Sequence, residues 1–211
     1  MQTNLSAIWD SMRANDFESA AREAQKYLSD PDSSCASEAR KILALAYFRL
    51  RNHAAAVPLF LTIAESSTEA NDWFNVVTSA TLSGNVSLGE TAFERAMACQ
   101  KDANFSQNPT APFMMLYYGY ALRDIGEFAK AFDQLDAIRA VFEGLPTTDS
   151  HYVNSLGVPQ LAQVINLAVD ILVQMRTKVN VCEWIDSFAA NIDADGKSQL
   201  LELRQVIEGS K

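Results

Sequence analysis

The chain has 211 residues, 48% of them hydrophobic and 20% charged, with only 6 prolines and 8 glycines. That is enough apolar matter for one compact domain or one short repeat array, and the scarcity of helix breakers points to an all-α chain. The formal net charge of −9 argues against nucleic acid as the main ligand and against an anionic membrane surface, because either would be repelled.

The opening stretch "MQTNLSAIWDSMRANDF" has no basic segment followed by an apolar core, so no signal peptide is read there. In "MRANDFESAAREAQKYL" a turn at Asn15–Asp16 is followed by an aromatic, Phe17, and a small residue, Ala20. The same order recurs in "FRLRNHAAAVPLFLTIA", with Asn52, His53, Ala56 and then Phe60. It recurs again in "TLSGNVSLGETAFERAMA", with Gly84–Asn85, Val86, Gly89, Phe93 and Ala96.

The clearest copy spans "PFMMLYYGYALRDIGEFAKAFDQL". Met114, Tyr117, Tyr118, Ala121, Leu122 and Ile125 are spaced three to four residues apart, one apolar face of a helix. Gly126 ends that helix, because glycine accepts the left-handed C-cap geometry, and Glu127 opens the next, where negative charge suits the helix dipole. Phe128, Ala131, Phe132 and Leu135 give the second helix its own stripe. Each stretch therefore predicts a helical hairpin: helix, short turn, helix.

Between the third and fourth hairpins "CQKDANFSQNPTAP", residues 99–112, is polar and ends in two prolines, so it predicts a loop. "GLPTTDSHYVNSLGVP" predicts another. A long helix from about Pro159 to Lys178 and a shorter one from about Val181 to Ala190 follow as a fifth pair. "VPQLAQVINLAVDILVQM" is interrupted by Gln160, Gln163, Asn166 and Asp170, so it is a helix buried in protein rather than one spanning lipid. A final helix, about Ser198 to Ile207, carries Leu200, Leu203 and Ile207 on one side and serves as a cap.

The aromatic-position residues Phe17, His53, Val86 and Phe128 stand 36, 33 and 42 residues apart. A period near ~34 with two helices per unit resembles the tetratricopeptide repeat family. The resemblance covers roughly residues 2–142. It rests on Tyr118–Gly119, Gly126, Phe128 and Ala131 in the fourth copy, on Leu43, Ala44, Tyr47, Ala56 and Phe60 in the second, on Trp73, Phe93 and Ala96 in the third, and on Phe17 and Ala20 in the first. It implies a single α-hairpin solenoid domain over 1–211, with repeats near 2–34, 37–70, 70–103 and 112–145 and further helices over 159–209.

The resemblance also implies a place for function. In that family the first helix of each repeat lines a concave groove that holds a peptide or a partner helix. The corresponding residues here are Leu5, Trp9 and Arg13; Lys41, Leu45, Phe48 and Arg49; Phe74, Thr78 and Leu82; and Phe113, Leu116, Tyr120 and Arg123. Aromatic and arginine side chains are common binding anchors. An apolar, mildly basic groove prefers a segment with hydrophobic side chains and some acids. The lysine and asparagine set that clamps chaperone C-terminal tails is missing, its places holding Leu5, Trp9, Ile42 and Asn75.

Catalytic signals are lacking. "GNVSLGETAF" has no P-loop lysine, HExxH and GxSxG do not occur, and the two histidines, His53 and His151, are far apart. Cys35, Cys99 and Cys182 form no CxxC pair and suit reduced thiols in the cytoplasm. "NIDADGKSQLLE", residues 191–202, has the spacing of an EF-hand calcium loop, with Asn191, Asp193, Asp195 and Glu202 as oxygen donors and Gly196 at the sharp turn. Asn191 in place of the first acid and Ser198 in place of a branched apolar residue weaken it. The competing reading is an Asp-Gly turn with Ser198 as the next N-cap.

The expectation is thus a cytoplasmic, non-enzymatic module without cofactor. It binds a peptide or helix of another protein as scaffold, adaptor or chaperone. The alternatives are a self-assembling array that pairs copies as a homodimer through surfaces near Trp184 and the last helix, and a calcium-responsive regulator through residues 191–202.

Overall fold

The computed structural model describes residues 5–175 and 178–209. Residues 2–4 of the first expected repeat and 176–177 of the expected 159–178 helix lie outside that range. The described residues form twelve α-helices and no strand. They divide into two compact units, one ending at Gln107 and the other beginning at Asn108.

The first unit holds α1 (Leu5–Arg13), α2 (Phe17–Gln25), α3 (Ser33–Arg49), α4 (His53–Ala64), α5 (Ala70–Leu82) and α6 (Val86–Asp102). Three residues separate α1 from α2, α3 from α4 and α5 from α6. A connection that short folds each helix back on its predecessor, and each helix of the unit packs on the next, with α1 also touching α3.

One turn geometry closes all three hairpins. The middle residue is left-handed: Asn15 at φ 60°, Arg51 at φ 57° and Gly84 at φ 87°. The following backbone N–H then reaches five residues back: Asp16 to the Ser11 carbonyl, Asn52 to Tyr47 and Asn85 to Ala80, each at 2.9 Å. This is the Schellman ending, which satisfies carbonyls that the helix terminus leaves open. The same Asp16, Asn52 and Asn85 then cap the next helix, their side chains accepting from the N–H of Ser19, Ala55 and Leu88 at 3.1, 3.3 and 3.2 Å.

Four residues beyond each cap a small residue is buried: Ala20, Ala56 and Gly89. These sites let helices approach closely. A Cβ on Gly89 would come within 2.3 Å of the Thr81 hydroxyl oxygen, so α6 meets α5 backbone to side chain. Around Ala20, the core joins Ile8, Ala21, Ala24, Ile42, Leu43 and Ala46, with Leu5, Trp9, Phe17 and Tyr47 packed on it. Each fully buried Leu or Ile contributes about 1.5–3 kcal/mol.

The second unit holds α7 (Ala111–Asp124), α8 (Phe128–Glu143), α9 (Ser150–Ser155), α10 (Leu161–Met175), α11 (Lys178–Ala189) and α12 (Ala194–Gly209). The α7–α8 turn repeats the geometry of the first unit. Gly126 is at φ 84°, the Glu127 N–H reaches the Leu122 carbonyl at 2.9 Å, and Ala131 is buried four residues on. Glu127, unlike the other three caps, makes no side-chain cap bond. Helix α10 packs on both α7 and α8, and α12 covers α10 and α11 with Leu200 and Ile207. Phe142 and Phe188 meet edge to face at 6.3 Å in the core, beside Leu135, Ile138, Leu167 and Leu172.

Several expectations need correction. The loop predicted over 99–112 is shorter, because α6 continues to Asp102 and α7 starts at Ala111. The stretch around 150–155 is helical, with Asp149 accepting from the Tyr152 N–H at 2.9 Å as its cap. The last helix starts at Ala194, not Ser198. Trp184, near which a pairing surface is expected, is itself buried: rings of Phe132 and Phe188 lie against it, and its indole donates to Asp136 at 3.0 Å. Cys35 and Cys182 are buried thiols and Cys99 is half-buried.

Candidate functional site

In the first unit the expected groove residues fall on the first helices of the hairpins. Leu5 and Trp9 are half-buried against the α1–α3 core, and the Trp9 indole donates to Glu38 at 2.8 Å. Arg13 is exposed and paired with Asp10 at 2.5 Å, three residues back on α1. Lys41 and Arg49 are exposed on α3 and make no ion pair among the described residues. Leu45 and Phe48 are half-buried on the same helix. Phe48 packs edge-on against His53 at 5.0 Å and Phe60 at 6.4 Å, so it serves as core between α3 and α4. Burial, then Arg51, holds the His53 imidazole below its usual range, and it is neutral at pH 7. Phe74 is buried in α5, while Thr78 and Leu82 are half-buried, with the Thr78 hydroxyl returned to its own helix at the Phe74 and Asn75 carbonyls.

In the second unit α7 presents a ledge of rings. Phe113 and Tyr117 stack at 6.4 Å, with planes 20° apart, and Tyr117 and Tyr120 lie 6.2 Å apart. The Arg123 guanidinium sits 4.8 Å above the Tyr120 ring. This row is built on i, i+4, i+7 and i+10. Leu116, one residue before Tyr117, is fully buried and has no surface to offer a ligand. Tyr117, assigned by spacing to the core face, is instead 47% exposed and is the residue the sequence missed.

The ledge is held from α10. The Tyr120 hydroxyl donates to the Gln163 carbonyl at 2.9 Å. Arg123 pairs with Asp170 at 2.7 Å and Asp124 at 2.6 Å. Burial would lower the Arg123 pKa, but the two carboxylates outweigh it and the charge is secured. Burial raises the Tyr120 pKa, so its phenol stays protonated and remains a donor. A cleft of about 540 Å³ opens beside the ledge, between Arg123 and Phe128 on one side and Val169, Asp170 and Val173 on the other.

The calcium reading meets a different local structure. With α12 starting at Ala194, Asp195 and Glu202 are helical and exposed, and Asn191 is exposed before the helix. Both carboxylate oxygens of Asp193 are engaged. They accept from the hydroxyls of Thr147 and Thr148 at 2.9 and 2.6 Å and from the backbone N–H of Thr148 and Gly196 at 3.1 and 3.2 Å. Burial would raise the Asp193 pKa, but these hydrogen bonds outweigh it and hold the carboxyl below its usual value. Asp193 is thus the N-cap of α12 and the tie to the 147–149 loop. Among the described residues no three His, Cys, Asp or Glu side chains gather as a metal site, and no helix is long and apolar enough to cross a membrane.

Comparison of the chain with family models, curated proteins and solved structures finds no match.

Proposed function

We propose that the protein is a non-enzymatic binding module whose α7 ledge holds a peptide or helical segment of a partner protein, as a scaffold, adaptor or chaperone would. The observation that carries this reading is Tyr117. Its ring is 47% exposed, stacked on Phe113 and tilted against Tyr120, and a contiguous row of rings ending on an arginine has the composition of a partner-binding surface. The ledge is ordered before a partner arrives, through the Tyr120–Gln163 bond and the Arg123–Asp170 pair. Pre-ordering lowers the entropy lost on binding.

The tetratricopeptide assignment belongs with this proposal. Four hairpins close with the same left-handed turn and bury a small residue four positions later, as the repeat requires. A cytoplasmic setting, with free thiols and an acidic surface, accords with the same reading.

The test is comparative co-purification with mass spectrometry. A partner retained by the unaltered chain and by Lys41→Ala, and lost with Tyr117→Ala at unchanged helicity, supports the ledge. Equal recovery with Tyr117→Ala rules it out.

A further inference from the structure

A second site lies in the first unit and shares no residue with the ledge. The end of α4, the start of α5, the second half of α6 and the stretch after it enclose a cleft of about 520 Å³, a size in the range of small-ligand sites. Its walls include Glu65, Trp73, Arg95, Cys99, Asp102 and Gln107.

The rim is fixed by Gln107. Its side-chain carbonyl accepts from the Ala70 N–H at 2.6 Å, and its amide donates to the Thr68 carbonyl at 3.2 Å. The fully buried Gln100 donates to the Gln107 backbone carbonyl at 2.8 Å. These three bonds hold the chain after α6 against the start of α5, so the cleft is a built feature and not a gap between loose ends.

Its charged residues Glu65, Arg95 and Asp102 are exposed. Arg13, Arg123, Arg139 and Arg204 each meet a carboxylate. Among the described residues Arg95, Glu65 and Asp102 make no ion pair. Trp73 differs from the other tryptophans in the same way. Trp9 and Trp184 donate to Glu38 and Asp136, whereas the half-buried Trp73 indole has no hydrogen-bond partner among the described residues. The cleft is not laid out for covalent chemistry. Burial, then Asp102, keeps the Cys99 thiol protonated and a poor nucleophile.

Arg95, Cys99 and Asp102 lie at i, i+4 and i+7, along one stripe of α6. The Cα atoms of Arg95 and Asp102 therefore lie two turns apart, about 10 Å along the axis. Three extended residues reach about the same distance. We propose that this cleft binds a short zwitterionic peptide about three residues long, its carboxylate on Arg95, its ammonium at Asp102 with Glu65 near, and its apolar side chains against Trp73.

The probe is tri-leucine with free termini, followed by calorimetry and by the indole resonances of the full chain, with Trp73 assigned from Trp73→Phe. The expected result is saturable binding that shifts the Trp73 indole and leaves those of Trp9 and Trp184 in place. Arg95→Gln and Asp102→Asn, both surface changes checked by circular dichroism, each weaken binding at least tenfold. N-acetyl tri-leucine amide, which lacks both charges, does not bind. Absence of a Trp73 shift at millimolar tri-leucine overturns the proposal, as does undiminished binding to Arg95→Gln or equal binding of the blocked peptide. Tyr117→Ala leaves all of these readouts unchanged, so failure here and failure of the α7 ledge are told apart.

Discussion

The Asp193 carboxylate and Thr148 are joined twice, through the threonine hydroxyl at 2.6 Å and its backbone N–H at 3.1 Å. The bond pair fastens the loop before α9 to the first turn of α12. Loss of an N-cap costs about 1 kcal/mol, and stranding a buried hydroxyl adds about 1–3 kcal/mol. Asp193→Ala is therefore expected to lower stability by about 2–4 kcal/mol in urea unfolding, with Asp195→Ala near neutral.

The same carboxyl sets a pH dependence. Its folded pKa is depressed, so its contribution is complete above the unfolded value of about 4 and is lost as pH falls through the lower folded value. Melting curves from neutral pH down to strongly acidic solution should converge for the unaltered chain and Asp193→Asn. Millimolar calcium should leave the melting temperature of the unaltered chain where it is.

The hairpin turns predict substitutions of opposite sign at equivalent positions. Gly84 and Arg51 occupy the same left-handed place, at φ 87° and 57°. Open space surrounds Gly84, so Gly84→Ala carries a conformational penalty alone, about 1 kcal/mol. Arg51→Gly relieves that penalty and should stabilise by up to about 1 kcal/mol in the same denaturation assay.

At the α5–α6 contact Gly89→Ala drives a methyl into the Thr81 hydroxyl, 2.3 Å away. The expected cost is about 1–3 kcal/mol. Thr81→Ala removes the obstructing oxygen, and the double variant should recover most of the loss. A double-mutant cycle measures the coupling.

The fold was legible where the signal was local. Gly126 and the turns at Asn52 and Asn85 are legible in a few adjacent residues, and the helices on either side follow from apolar spacing. Arg51 shows the limit, since arginine does not advertise a left-handed backbone. Its turn could be found only through the asparagine after it. The α7 face failed by one residue. Leu116 and Tyr117 are both apolar enough for either side, and their exposure was settled by packing of α7 against α8 and α10. The start of α12 was missed because Asp193 and Ser198 are both good caps. Thr148, 45 residues away, decides between them. The Gln107 clamp on Ala70 spans 37 residues and leaves no local trace.

That clamp also sits at the boundary between the two compact units. The stretch after α6 is tied backward, to Thr68 and Ala70, by its own last residue. A gene truncated after codon 107 thus retains every bond of the clamp, whereas one ending a single codon earlier discards the glutamine side chain and leaves the amide at the head of α5 to water.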